Sequence, residues 1–116
     1  MVTYTIIITE APYGKERPYT ALRFARTCDV EGHKIKIFLI ENGVYLAKTG
    51  QKTASDQPNL TGYLEDLISG GHEVKACVVC MQARGLSEND LIAGVKSATI
   101  HELVEWTTNS DKVIVF

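Results

Sequence analysis

The stretch VTYTIIIT, residues 2–9, holds three consecutive isoleucines, Ile6, Ile7 and Ile8, among β-branched and aromatic neighbours. Its composition reads as a strand, and its lack of alternation says which kind. A strand with one wet face alternates apolar and polar residues. One covered on both faces stays apolar, as in parallel sheets roofed by helices. VIVF, residues 113–116, has the same character. With two further β-rich runs, strands are expected over residues 2–9, 34–40, 73–80 and 112–116.

Helical patterns separate them. Ala21, Phe24, Ala25 and Cys28 recur at i, i+3, i+4 and i+7, with Pro18 in the first turn and Gly32 beyond the end. Leu60, Tyr63, Leu64, Leu67 and Ile68 form a second stripe, closed by Gly70-Gly71. Ser87 and Asp90 are spaced to cap a short helix carrying Leu91 and Ile92. Thr99 and Glu102 have capping-box spacing for a last helix carrying Ile100, Leu103 and Val104. Residues 43–48 allow one more short helix, and TGQKTASDQP, 49–58, is a polar, aperiodic connector or contact loop. Strands joined through helices pair in parallel by right-handed crossovers. The expected fold is a three-layer α/β/α sandwich with a mainly parallel sheet of four to five strands, in one domain spanning residues 1–116.

Bulk properties narrow the function. Twelve basic and 14 acidic side chains, scattered along the chain, leave a formal charge of -2 and no basic footprint for nucleic acid or an anionic membrane. No stretch approaches the roughly 20 apolar residues of a membrane span. The opening MVTYTIIITEAP lacks a basic leader and a small-residue cleavage site, so a cytoplasmic protein is expected. Three cysteines, an odd number, argue against a disulfide framework. No second Cys-x-x-Cys or His pair completes a metal site, and no glycine pattern marks a phosphate loop, so neither metal nor organic cofactor is expected. His33 and His72 read as exposed helix-to-strand turn residues on the edge opposite the cysteines, and His101 as a surface residue.

In a parallel sheet, the loops after the strands' C-terminal ends gather along one edge, where ligands bind. Here they are EAPYGKERP, ENGVY and CMQARGLS, which bring Tyr13, Gly14, Glu41, Asn42, Cys80 and Arg84 to a common rim, with Cys77 further in. Cys28, within a helix stripe, reads as core. A thiol attacks as thiolate, favoured by a cation or by backbone N–H groups, which Arg84 and the Gly85 turn would supply unless Arg84 pairs with Glu41. On position alone Cys80, at the strand end, is the more exposed thiol. A Cys-x-x-Cys pair also permits dithiol exchange, although that motif usually opens a helix and here straddles a strand end.

The motifs PYG (Pro12, Tyr13, Gly14), NGVY (residues 42–45) and CVVCMQARG (residues 77–85) resemble the DsrE/DsrF-like family of small sulfur-handling proteins, TusD-like sulfur-relay subunits among them. The likeness spans the whole chain. It implies an α/β/α fold, assembly as a homotrimer, a hexamer or a complex with paralogues, and sulfane sulfur carried as a cysteine persulfide between donor and acceptor proteins. The relay cysteine stands seven residues before the Arg of an Arg-Gly pair, the position of Cys77 before Arg84-Gly85; other members carry a second cysteine at the place of Cys80. Together with this resemblance, the expectation is a sulfur carrier with Cys77 as attacking thiolate and Arg84 as its cation. Cys80 would resolve the intermediate, and Tyr13, Gly14, Asn42, Gly43 and Gly85 would shape the pocket. Alternatives are an oligomeric ligand-binding or scaffolding module with inert cysteines, and a Cys77–Cys80 dithiol redox protein.

Overall fold

The computed structural model describes residues 1–116. The chain runs β1 (Thr3–Ile8), α1 (Arg17–Val30), β2 (Lys34–Leu39), a 3-10 helix (Glu41–Ala47), α2 (Leu60–Ser69), β3 (Glu73–Cys77) and α3 (Val78–Ala83). A second 3-10 helix (Glu88–Asp90), β4 (Lys96–Ala98), α4 (Ile100–Asn109) and β5 (Lys112–Val115) complete it. All five strands are parallel, in the order β4-β3-β2-β1-β5. The expected α/β sandwich is borne out.

The two faces are unequal. Ile6, Ile8, Ile35, Ile37, Leu39 and Val74 pack under α1 and α2, joined by Ala21, Leu22, Leu64 and Leu67, in a core of 22 buried residues. The other face holds only six, among them Ile7, Phe38 and Cys77 from the sheet and Leu103 and Trp106 from α4. Trp106 meets the Phe38 ring edge-on at 5.6 Å, and the Lys36 and Lys75 ammonium groups lie 5.2 and 5.3 Å from its centroid. Two lysine stems thus help one tryptophan cover the sheet.

Four expectations are corrected. The third strand stops at Cys77, because β2 pairs it only to Ala76 and β4 only to Cys77. With no ladder partner beyond, the chain turns into α3, burying Met81 and leaving Val79 exposed. Leu91 and Ile92 follow the second 3-10 helix rather than riding on it; Leu91 bridges Lys48, and the Ile92 N–H donates to Ala47 O at 2.8 Å. VIVF is an edge strand with Val113 and Val115 exposed, not one covered on both faces. His33 and His72 are not solvated turn residues. Each ring turns back and accepts, through Nδ1, a backbone N–H at the start of a strand: Val2 for His33 and Ile35 for His72, both at 3.1 Å. His72 Nε2 then donates to Asp29 Oδ1 at 2.6 Å.

The capping box of α4 forms as expected, with Glu102 Oε2 accepting the Thr99 N–H at 2.8 Å while its Oε1 accepts from Lys75 Nζ at 2.9 Å. The Lys75 ammonium first, then the Thr99 N–H, hold the Glu102 carboxyl below its ordinary range. A carboxylate whose pKa is depressed on folding contributes stability above its unfolded pKa and loses it as pH falls through the folded one. Glu102→Gln is expected to flatten the acid limb of a urea-midpoint profile; an unchanged limb would place that acid sensitivity elsewhere.

Candidate functional site

Three loops meet at the C-terminal edge of β1, β2 and β3. The chain leaving β2 is tied to β1 by the Ile40 N–H, which donates to Ile8 O at 3.0 Å, and then turns on itself, the Gly43 N–H donating to Ile40 O at 2.9 Å. Gly43 lies so close to β1 that a Cβ there would come within 2.1 Å of Ile8 O and 2.8 Å of Ile8 C, so only glycine fits. Held between these anchors, Glu41 adopts φ 55°, the single non-glycine residue of the chain with positive φ. Left-handed backbone costs a side-chain-bearing residue energy and collects at working sites.

The strained peptide points its N–H at sulfur: Glu41 N donates to Cys80 Sγ at 3.0 Å. Cys77 is the N-cap of α3 and Cys80 lies in its first turn, so the Cys-x-x-Cys motif opens a helix after all. Four residues on from Cys80 along that turn, Arg84 sends Nη1 to Cys80 O at 3.0 Å and Nε to Asn42 Oδ1 at 2.9 Å. The alternative pairing of Arg84 with Glu41 is not formed. Gly85, at φ 70°, lets the chain reverse so that Leu86 N–H closes back on Met81 O at 2.9 Å.

Cys77 is 7% exposed and Cys28 6%, whereas Cys80 is half-buried. Burial pushes the Cys80 thiol above its ordinary pKa. The Glu41 N–H pulls it back, Cys77 raises it further, and the Arg84 charge again lowers it. Burial and then Glu31 raise Cys28 too. Cys80 is therefore expected to alkylate fastest and Cys28 slowest, the Cys80 rate climbing with pH through a pKa above that of a free thiol. Arg84→Gln, which removes the cation, slows Cys80 further at fixed pH; an unchanged rate would separate Arg84 from the sulfur.

Beside this sulfur lies a cavity of about 590 Å³ whose wall includes Tyr13, Gly14, Glu41, Asn42 and Arg84. Cys80 is not part of the lining but touches it through Glu41 and Arg84. Gly43 and Gly85 shape the loops and do not face the cavity. The Tyr13 hydroxyl donates to Pro58 O at 2.9 Å and so accepts from Thr53 Oγ1 at 2.7 Å, tying residues 49–58 to the cavity rim. Sequence reasoning missed Glu10 and Lys15, which also line it; the only signal was their place in the loop after a strand's C-terminal end.

No helix is long and apolar enough to cross a membrane. The YchN protein of Escherichia coli is 34% identical over 118 residues, covering all of both chains. Its crystal structure superposes with a TM-score of 0.93 over the full length of both. An uncharacterized protein of Methanopyrus kandleri is 58% identical over 112 residues, 97% of this chain and 92% of that one. A protein of unknown function from Methanobacterium thermoautotrophicum, 19% identical and fully covered in both directions, shares the fold at a TM-score of 0.80. The family model described as DsrE/DsrF-like matches residues 3–116. This chain belongs to the DsrE/DsrF-like family.

Proposed function

We propose that the protein carries sulfane sulfur as a persulfide on the Cys77–Cys80 pair, with Cys80 as the entry thiol. The observation that carries this reading is the Glu41 N–H, held at φ 55° and donated to Cys80 Sγ at 3.0 Å, with the Arg84 guanidinium anchored alongside. Both favour a sulfur anion. A persulfide is a stronger acid than its parent thiol, so the same N–H and guanidinium hold the loaded form as an anion more readily than free Cys80. The resemblance would have Cys77 carry the sulfur; exposure and hydrogen bonding favour Cys80, with Cys77 the adjoining thiol. Cys80 thiolate would take the outer sulfur of a donor persulfide and later yield it to a thiol of an acceptor protein.

The unpartnered apolar residues Ile100 and Val104 on α4 and Val113 and Val115 on β5 support assembly into a homotrimer, a hexamer or a paralogue complex. The reading is tested by incubating the protein with inorganic polysulfide, removing excess, and adding cyanide. Cyanide converts each persulfide sulfur to thiocyanate. About one thiocyanate per chain is expected; none would reject the carrier role. A second reading, dithiol exchange, is favoured by the helix-start placement of the pair. It predicts a reversible Cys77–Cys80 disulfide and no bound sulfur.

A further inference from the structure

The cavity beside Cys80 has an unusual charge inventory. Its wall carries two carboxylates, Glu10 and Glu41, and two cations, Lys15 and Arg84, yet none of the four belongs to any ion pair of the chain. Glu10 Oε2 is shut off from solvent and receives no hydrogen bond. A shielded carboxylate oxygen without a donor is costly, and a cation held at the cavity side of the same carboxylate offsets part of that cost. Arg84 keeps its charge uncancelled, since its partners are the neutral oxygens of Asn42 and Cys80. The volume, about 590 Å³, is that of a small-molecule site rather than a bare channel to sulfur.

Resting on the carrier reading, we infer that the cavity binds a small zwitterionic thiol of the amino-acid type and that its persulfide is a sulfur donor to Cys80. The ligand's ammonium faces the two carboxylates of the wall, Glu10 and Glu41, and its carboxylate pairs with Lys15 or Arg84. The transfer balances without an outside oxidant or reductant. Cys80 thiolate bonds the outer sulfur of R–S–SH, the S–S bond breaks, and its electron pair leaves with R–S⁻, which takes up the persulfide's proton to give R–SH and leaves Cys80 as the persulfide anion. A neutral or singly charged thiol satisfies only part of this wall.

S-methyl-L-cysteine keeps both charges and transfers no sulfur, so its binding is read apart from chemistry. Titrated into the ¹⁵N-labelled full chain, it is expected to give saturable amide shifts confined to residues 9–11, 13–15, 41–43 and 84. 3-(Methylthio)propanoate, without the ammonium, and 2-(methylthio)ethylamine, without the carboxylate, bind at least about tenfold more weakly. Glu10→Gln weakens S-methyl-L-cysteine about tenfold and leaves the propanoate unaffected. Because Gln has no charge to bury, the free variant melts no lower than the parent. Equal binding of all three probes, shifts elsewhere, or no shifts in a protein that still loads sulfur from polysulfide would overturn the zwitterionic donor and leave the carrier standing.

Discussion

Cys80→Ser is expected to reduce polysulfide-loaded, cyanide-releasable sulfur to background, while Cys77→Ser retains most of it. The asymmetry follows from the environment of each sulfur. Cys80 accepts the Glu41 N–H and is the most exposed of the three cysteines, whereas Cys77 caps α3 from within the small core of Phe38, Leu103 and Trp106. Serine at 80 keeps the hydrogen-bond acceptor but has no sulfur to extend, so the fold persists and only loading is lost. Cys77→Ser should also lengthen the lifetime of the loaded state. On the carrier reading, a loaded chain left without an acceptor would decay slowly as the Cys77 thiol attacks the inner sulfur of the Cys80 persulfide, forming a Cys77–Cys80 disulfide and expelling hydrogen sulfide. A Cys77→Ser variant that loads nothing, beside a Cys80→Ser variant that loads fully, would reverse the roles.

Gly43→Ala is the second large effect. The new methyl would meet Ile8 O at 2.1 Å and Ile8 C at 2.8 Å, backbone atoms of a strand paired on both sides and unable to yield. Overpacking of this kind costs on the order of 3 kcal/mol. The strand cannot shift, so the loop must, and with it the Glu41 N–H leaves Cys80 and Asn42 leaves Arg84. Both the denaturation midpoint and sulfur loading are expected to fall. A variant as stable and as readily loaded as the parent would show that the close approach at Gly43 does not position the site.

How much of this was legible in the sequence depends on the range of the forces involved. Local periodicity and capping chemistry disclosed α1, α2 and α4, including the Thr99–Glu102 box, and the isoleucine run disclosed a sheet covered by helices. β4 stayed hidden because three residues, Lys-Ser-Ala, carry no β-branched signal and are a strand only through pairing with β3. The end of β3 was misplaced for a related reason. Val78 and Val79 have the composition of a strand, but the ladder partners that decide the matter lie on β2 and β4. VIVF shows the converse error, since composition cannot reveal that a strand sits at an edge.

The rim was predictable because parallel topology alone collects the three loops, and Tyr13, Gly14, Asn42 and Arg84 do line one cavity. What sequence could not reveal was the backbone: the left-handed turn at Glu41 and the exclusion of any side chain at Gly43 arise from contacts with β1 some 35 residues earlier in the chain. The spacing of four between Cys80 and Arg84 was a readable helical signal, masked by the valines before it.

The central claim is that the sulfur of Cys80, placed by Glu41 and Arg84, is where sulfane sulfur enters. It is tested most directly by exposing the unmodified protein briefly to a persulfide donor, trapping with an alkylating reagent, and locating the added sulfur by peptide mass spectrometry. The account predicts an extra sulfur atom on Cys80 before any appears on Cys77, and none on Cys28. Unmodified Cys80, or sulfur distributed equally over all three cysteines, would contradict it.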